Sequence, residues 1–170
     1  MLFRSVVIVD AGATLQSGPP ARVFASPRNA RVAELVGIQN HFSGRFHKQE
    51  PGWGRLTWGE GGEVSLRAPD KNRIPDGSSV TWVFAGEGVD LLAQGDGREN
   101  AVRCELVEQL VLGETSLCTL RPCDLPGEQV TLNPATAQLR SLGAEPGGSL
   151  WLRIAPEAIH IMPVRQAQKL

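Results

Sequence analysis

Glycine and proline interrupt this 170-residue chain nearly once in every five positions, nineteen and twelve times respectively. Proline cannot continue a helix or a central sheet ladder, and glycine weakens both. The breakers are scattered without a period, which excludes collagen-like arrays and long helices and leaves many short strands joined by turns. The apolar fraction of 41% and the charged fraction of 21% are those of a globular chain able to bury a core. No apolar run approaches the roughly 20 residues of a membrane span, and Met1–Val9 lacks a signal peptide's longer apolar stretch, so the reading is a soluble, cytosolic protein.

The first forty residues differ from the rest. Val6–Val9 is an apolar run closed by Asp10-Ala11-Gly12, and Ala13–Gln16 is its return strand, giving a hairpin. Pro20 opens a short helix through Phe24, and Asn29–Val36 forms a second, stopped by Gly37. Two strands and two short helices do not make a domain, so this segment reads as the end of something larger.

From Asn40 onward the pattern predicts strands near 42–48, 53–58, 63–68, 79–85, 88–92, 101–111, 115–121, 128–132, 148–154 and 158–162. One helix interrupts the second series, with Asn133 as N-cap, Pro134 in the first turn and Gly143 as stop. Residues 76–92 can be laid over residues 146–162. Gly77/Gly147, Ser79/Ser149, Ala85/Ala155 and Glu87/Glu157 are identical, and apolar pairs such as Val80/Leu150 and Leu91/Ile161 keep phase. Duplication explains this best. Each copy is small for independent stability, so the two are expected to share a core. The organisation read from the sequence is 1–39, a first half at 40–93, a flexible linker at 94–100, a second half at 101–163 and a tail at 164–170.

Catalytic constellations are not found in the sequence. Asp10 ends an apolar strand, where a Mg²⁺ ligand can sit, but no G-x-x-x-x-G-K-[ST] loop is present, so Asp10 reads as a turn residue. His41, His47 and His160 share no ligand spacing, and His160 should point out of its sheet. Cys104, Cys118 and Cys123 fit neither a disulfide framework nor a zinc site and read as reduced thiols. Ser116 lacks a nucleophile elbow. Glu87 and Glu157 resemble paired acids less than two copies of one turn. Trp53, Trp58, Trp82 and Trp151 could stack bases on a small barrel, with Trp151 a core residue by default. The net charge of −1 provides no basic face for nucleic acid.

The opening, Val6-Val7-Ile8-Val9-Asp10-Ala11-Gly12 through Gln16-Ser17-Gly18-Pro19, then Val23-Phe24-Ala25-Ser26-Pro27 and Val36-Gly37-Ile38-Gln39-Asn40, resembles the segment after the switch histidine of ABC transporter ATPases. Residues 40–163 resemble the family's transport-associated OB (TOBE) domain, through Asn40-His41-Phe42-Ser43-Gly44, Leu112-Gly113-Glu114-Thr115-Ser116, Leu142–Gly147 and Pro156–His160, in the style of molybdate and sulfate importers. Met1–Ser5 fits poorly. The family's R-P-E corner is Ala85-Gly86-Glu87 and Ala155-Pro156-Glu157 here, without the arginine, and the lysine that helps molybdate-binding relatives falls at the same alanines.

The resemblance implies a mainly β fold: tandem OB-like barrel halves with one short helix in the second, preceded by a β-hairpin and two short helices. It implies a non-catalytic regulatory and dimer-contact module of an importer ATPase, with no catalytic residue, metal or cofactor in this chain and ATP and Mg²⁺ used by the parent subunit. Implied partners are a second copy and, through the parent, membrane permease subunits at the cytoplasmic face. The alternative is an oxyanion sensor for molybdate, tungstate or sulfate, for which Asn40, Gly113, Thr115 and Ser116 are the candidate ligand-binding residues. An OB-type nucleic-acid binder is a third class.

Overall fold

The computed structural model describes residues 5–84 and 86–164. Met1–Arg4, the repeat corner at Ala85 and positions 165–170 of the tail lie outside the described residues.

Strands β1 (Val6–Asp10) and β2 (Ala13–Gly18) form an antiparallel hairpin. Ala11 (φ 46°) and Gly12 (φ 78°) are both left-handed, as a two-residue turn matched to strand twist requires. Helix α1 (Pro20–Ala25) starts on Pro20, and α2 (Ala30–Leu35) is capped by Asn29, whose side chain accepts from the Val32 amide at 2.9 Å. Gly37, at φ 78°, closes α2 by donating to the Glu34 carbonyl at 3.0 Å.

Next come β3 (His41–Glu50), β4 (Trp53–Trp58), β5 (Val64–Pro69), β6 (Ser78–Phe84), a 3-10 turn at Gly86–Gly88, and β7 (Val89–Leu92). The second series is β8 (Ala101–Leu112), β9 (Thr115–Pro122), β10 (Val130–Leu132), α3 (Thr136–Ser141), β11 (Ser149–Ile154), a 3-10 turn at Pro156–Ala158, and β12 (Ile159–Pro163). Alternation sets each strand's inner face: Leu56 and Trp58 on β4, Leu66 and Ala68 on β5, Leu150, Leu152 and Ile154 on β11 are all buried. The fold is mainly β, with two curled five-stranded sheets of OB type. The helix in the second series starts at Thr136, later than Asn133-Pro134 predicts. The backbone there is engaged elsewhere: the Pro134 carbonyl accepts from the Ser116 amide at 2.9 Å, and Ala135 bridges Thr115.

The sheets are ordered β5-β4-β3-β6-β12 and β10-β9-β8-β11-β7. Element by element these are the same sheet built twice, except that the last strand of each series lies in the other's sheet. β12 pairs antiparallel with β6 (Ile159 opposite Phe84, Ile161 opposite Trp82), and β7 pairs with β11 (Leu91 opposite Leu152, Val89 opposite Ile154). Arg153 on β11 holds Asp90 on β7 across the exchange. In the first sheet the edge strands β12 and β5 meet, which curls the sheet toward closure.

One apolar core runs through both sheets, from Phe42, Trp58, Trp82 and Phe84 to Leu106, Leu120, Leu152 and Ile154. Phe42 lies 4.7 Å from Trp58 and 5.0 Å from Trp82, and the two tryptophans meet edge-to-face at 5.1 Å. Their Nε1–H groups find no acceptor among the described residues. Such an orphan donor costs about 1–3 kcal/mol, which the burial of each ring, about 3–5 kcal/mol, outweighs. Trp151 is only half-buried, because β11 shows it on the outer face, where Gly95 packs against its ring.

The two 3-10 turns meet where the copies cross. A Cβ on Gly88 would stand 2.1 Å from the Ala158 Cβ, and the Gly88 carbonyl accepts from the Ala155 amide at 2.8 Å. Gly88 and Ala158 are equivalent positions in the repeat, so the two copies of one residue touch and only one of them has room for a methyl group. Gly88→Ala should therefore destabilise the fold by about 1–3 kcal/mol in urea titration. Adding Ala158→Gly should recover most of that loss, whereas additive losses would show that the contact is not the cause.

Candidate functional site

Asn40 and Asn100 each stand just before the first strand of a series. The Asn40 amide donates to the Thr131 carbonyl at 2.7 Å and accepts from the Thr131 amide at 2.8 Å. Asn100 does the same to Arg67, at 2.8 and 2.6 Å. Each side chain thus imitates one rung of a ladder and holds the third strand of the opposite sheet, β10 for Asn40 and β5 for Asn100. Asn100 is buried and left-handed (φ 60°), a conformation asparagine tolerates. In the polar stretch 94–100, read as a flexible linker, residues 94–99 are exposed and Asn100 is bonded to β5. Asp96 pairs with Arg153 at 3.4 Å, and Asn100 is part of the core seam. The matching Asn before β3 and β8 was the signal for this role.

Gly113, Thr115 and Ser116 come together at the β8–β9 turn. Ser116 is fully buried, and its hydroxyl lies 2.9 Å from that of Thr136, which donates to the Gly113 carbonyl at 2.8 Å. Thr136, at the start of α3, was not singled out from the sequence, since a lone threonine after Pro-Ala carries no pattern. Thr115 is exposed, and Asn40 makes its hydrogen bonds with Thr131, apart from this set. The hydroxyls of Ser116 and Thr136 are thus already paired within the fold. Ala155 precedes its 3-10 turn and Glu157 is exposed in it.

Other candidate chemistry is occupied. The Asp10 carboxylate accepts two hydrogen bonds from Arg31, at 2.9 and 3.1 Å, which hold its pKa below the usual carboxylate value. Burial pushes the Cys104 thiol up to about 12, leaving it protonated and unreactive at neutral pH, and raises Cys118 as well. Trp58 and Trp82 lie inside the core, while Trp53 stacks under the Arg67 guanidinium, 4.4 Å from its ring centre. Among the described residues no three His, Cys, Asp or Glu side chains come together as a metal site. No helix among them is long and apolar enough to cross a membrane.

The N-terminal segment packs on the outer face of the first sheet. Ala33 joins Val83 and Met162 in a small second core, with Ile38 against it. Beside it His160 does point outward, as its alternation requires, but that face is covered. Its Nε2 lies 2.8 Å from the Pro27 carbonyl and its Nδ1 lies 3.4 Å from the Lys71 ammonium. A carbonyl can only accept, so Nε2 carries the proton and the bare Nδ1 faces Lys71. Burial, with Lys71 and Arg73 nearby, keeps the ring neutral and its pKa below the ordinary 6.5, despite the Pro27 bond acting the other way.

No protein-family model matches the chain. Its relatives over about nine-tenths of its length are ATP-binding subunits of ABC importers. It is 25% identical over 157 residues to the spermidine/putrescine import ATP-binding protein PotA 1 of Pseudomonas aeruginosa, covering 92% of this chain and 40% of that protein. It is 19% identical over 150 residues to the sulfate/thiosulfate import ATP-binding protein CysA of Acinetobacter baylyi, covering 88% and 39%. With CysA of Bacillus cereus it shares 32% over 78 residues, 46% of this chain and 20% of the relative. The chain thus spans about two-fifths of the length of the first two. Among solved structures, the cytoplasmic molybdate-binding protein ModG superposes with a TM-score of 0.64 at 18% identity, covering 75% of this chain and 98% of ModG. That likeness shows the fold.

Two outcomes follow from the seam and the docked segment. Asn100→Ala should cost about 2–3 kcal/mol, from two lost hydrogen bonds to the Arg67 backbone, with unfolding in urea still a single transition. Two separated transitions in Asn40→Ala or Asn100→Ala would show that the halves fold independently. His160 takes up a proton more readily unfolded than folded, so stability should fall as pH drops from about 7.5 through about 6.5, and level off below the folded pKa. The His160→Gln protein should lose that part of the pH dependence of Tm; an unchanged pH profile would remove His160 from the account.

Proposed function

We propose that this chain is a non-catalytic regulatory and contact module of an ABC importer ATPase subunit, in which residues 1–39 end the nucleotide-binding domain and residues 40–163 form a two-barrel TOBE unit. The observation that carries the reading is the alignment of nine-tenths of the chain to importer ATP-binding proteins more than twice its length. In this reading ATP and Mg²⁺ are used by the parent subunit, at the cytoplasmic face beneath permease subunits, to move an inorganic ion or other small solute.

The contact role is supported by a difference between the copies. At the tip of the β3–β4 hairpin the chain reads Lys48-Gln49-Glu50, whereas the equivalent β8–β9 tip reads Leu110-Val111-Leu112, and these three are more than half exposed. An apolar tip on a polar framework favours a protein contact, here with a second copy. Such a contact biases the opening and closing of paired ATPase subunits only as far as it differs between the two states.

The likeness to ModG favours a second reading, an oxyanion sensor. Against it, the hydroxyls of Ser116 and Thr136 and the amide of Asn40 are bonded internally, and the corner that carries a cation in molybdate-binding relatives is Ala155 here. Sedimentation and calorimetry separate the readings. The contact role predicts weak dimerisation that Val111→Glu abolishes, and no saturable binding of molybdate, tungstate or sulfate in the micromolar range. A strict monomer at near-millimolar concentration would count against the first reading, and micromolar oxyanion binding would establish the second.

A further inference from the structure

Between the N-terminal segment and the first barrel lies a cavity of about 910 Å³ rimmed by four cations, of which Lys71 also reaches the neutral His160 ring at 3.4 Å. Two separate parts of the chain build its rim. Arg22 comes from α1 and Arg28 from the turn after it, while Lys71 and Arg73 come from the loop joining β5 to β6. None of these four cations forms an ion pair among the described residues. The one carboxylate in the lining, Asp70, is already engaged: it is buried, 3.5 Å from the Lys48 ammonium, and accepts from the Asn72 amide at 2.7 Å. Beneath the rim the side chains of Phe46, Ile74, Ile159 and Met162 are buried and covered almost completely by the protein itself.

In a chain of net charge −1, four uncompensated cations around one space are a local excess. Their repulsion acts between the N-terminal segment and the barrel, across the cleft that His160 and Pro27 close, and opposes that docking. A multivalent anion seated in the cavity would turn the repulsion into attraction on both sides at once. Three of the cations are guanidinium groups, whose planar forks suit phosphate oxygens. Size decides against a bare oxyanion. Cavities of about 300–1,000 Å³ hold ligands of drug or nucleotide size, and a single tetrahedral ion would fill only a small part of 910 Å³.

We propose that this cleft binds a phosphorylated organic small molecule, its phosphate held by Arg22, Arg28, Lys71 and Arg73 and its body filling the rest of the cavity, so that the ligand clamps the N-terminal segment to the barrel. The proposal is independent of the importer reading, because it uses only the cavity and its charges.

Isothermal titration of the full 170-residue chain at low salt tests it, with adenosine diphosphate, glucose 6-phosphate, inorganic phosphate and citrate as probes. At least one of the two organic phosphates should bind saturably, at least about tenfold more tightly than inorganic phosphate or citrate, and should raise Tm. Arg22→Gln with Arg73→Gln should weaken that binding at least about tenfold, and Arg140→Gln, a cation on α3 that does not line the cavity, should leave it unchanged. Both cleft arginines are exposed and form no ion pair among the described residues, so circular dichroism should report an intact fold. Perturbation of the His160 ring resonances by the bound ligand gives a second readout independent of the substitutions. Absence of saturation by either organic phosphate up to about 1 mM, equal affinity for inorganic phosphate or citrate, or undiminished binding in the cleft variant would each overturn the assignment.

Discussion

The exchange of β7 and β12 between the sheets is the constraint on which the rest of this structure depends. Neither sheet is complete without a strand from the other series, so neither copy can satisfy its edge hydrogen bonds or close its core alone. Asn40 and Asn100 repeat the exchange at the level of side chains, each replacing a missing rung on the opposite third strand. The two sheets consequently share one core, and where the copies cross the contact is tight enough that Gly88 and its equivalent Ala158 would collide if both carried a methyl group.

What the copies share builds the fold, and where they differ lie the surfaces available for function. The β5–β6 loop carries Lys71 and Arg73 toward the N-terminal segment, whereas the corresponding stretch of the second copy holds α3 and seals Ser116 and Thr136 against each other. One hairpin tip is charged and the other apolar.

The docking of residues 5–39 links these features. It covers the outer face of β12 with Pro27 and Ala33, leaves His160 neutral beneath it, and forms one wall of the cationic cleft. Exposed Val7, Val9 and Phe24 on its other side are apolar surface without a partner among the described residues.

The sequence by itself determined the local structure. Breaker spacing and apolar alternation set the strands, the hairpin turn at Ala11-Gly12 and the Gly37 stop, because these depend on residues within a few positions of one another. The repeat was legible too, since duplication leaves identities in register. Only the tertiary structure decided which sheet each last strand joins: the chain crosses at a three-residue 3-10 turn in each series, so that β7 pairs with β11 and β12 with β6. It also decided that Asn100 bonds to the Arg67 backbone, that Thr136 completes the set at Gly113 and Ser116, and that His160 faces a carbonyl instead of water. Those outcomes join residues up to 133 positions apart. No local pattern encodes such a distance; it is set by the packing of the whole chain.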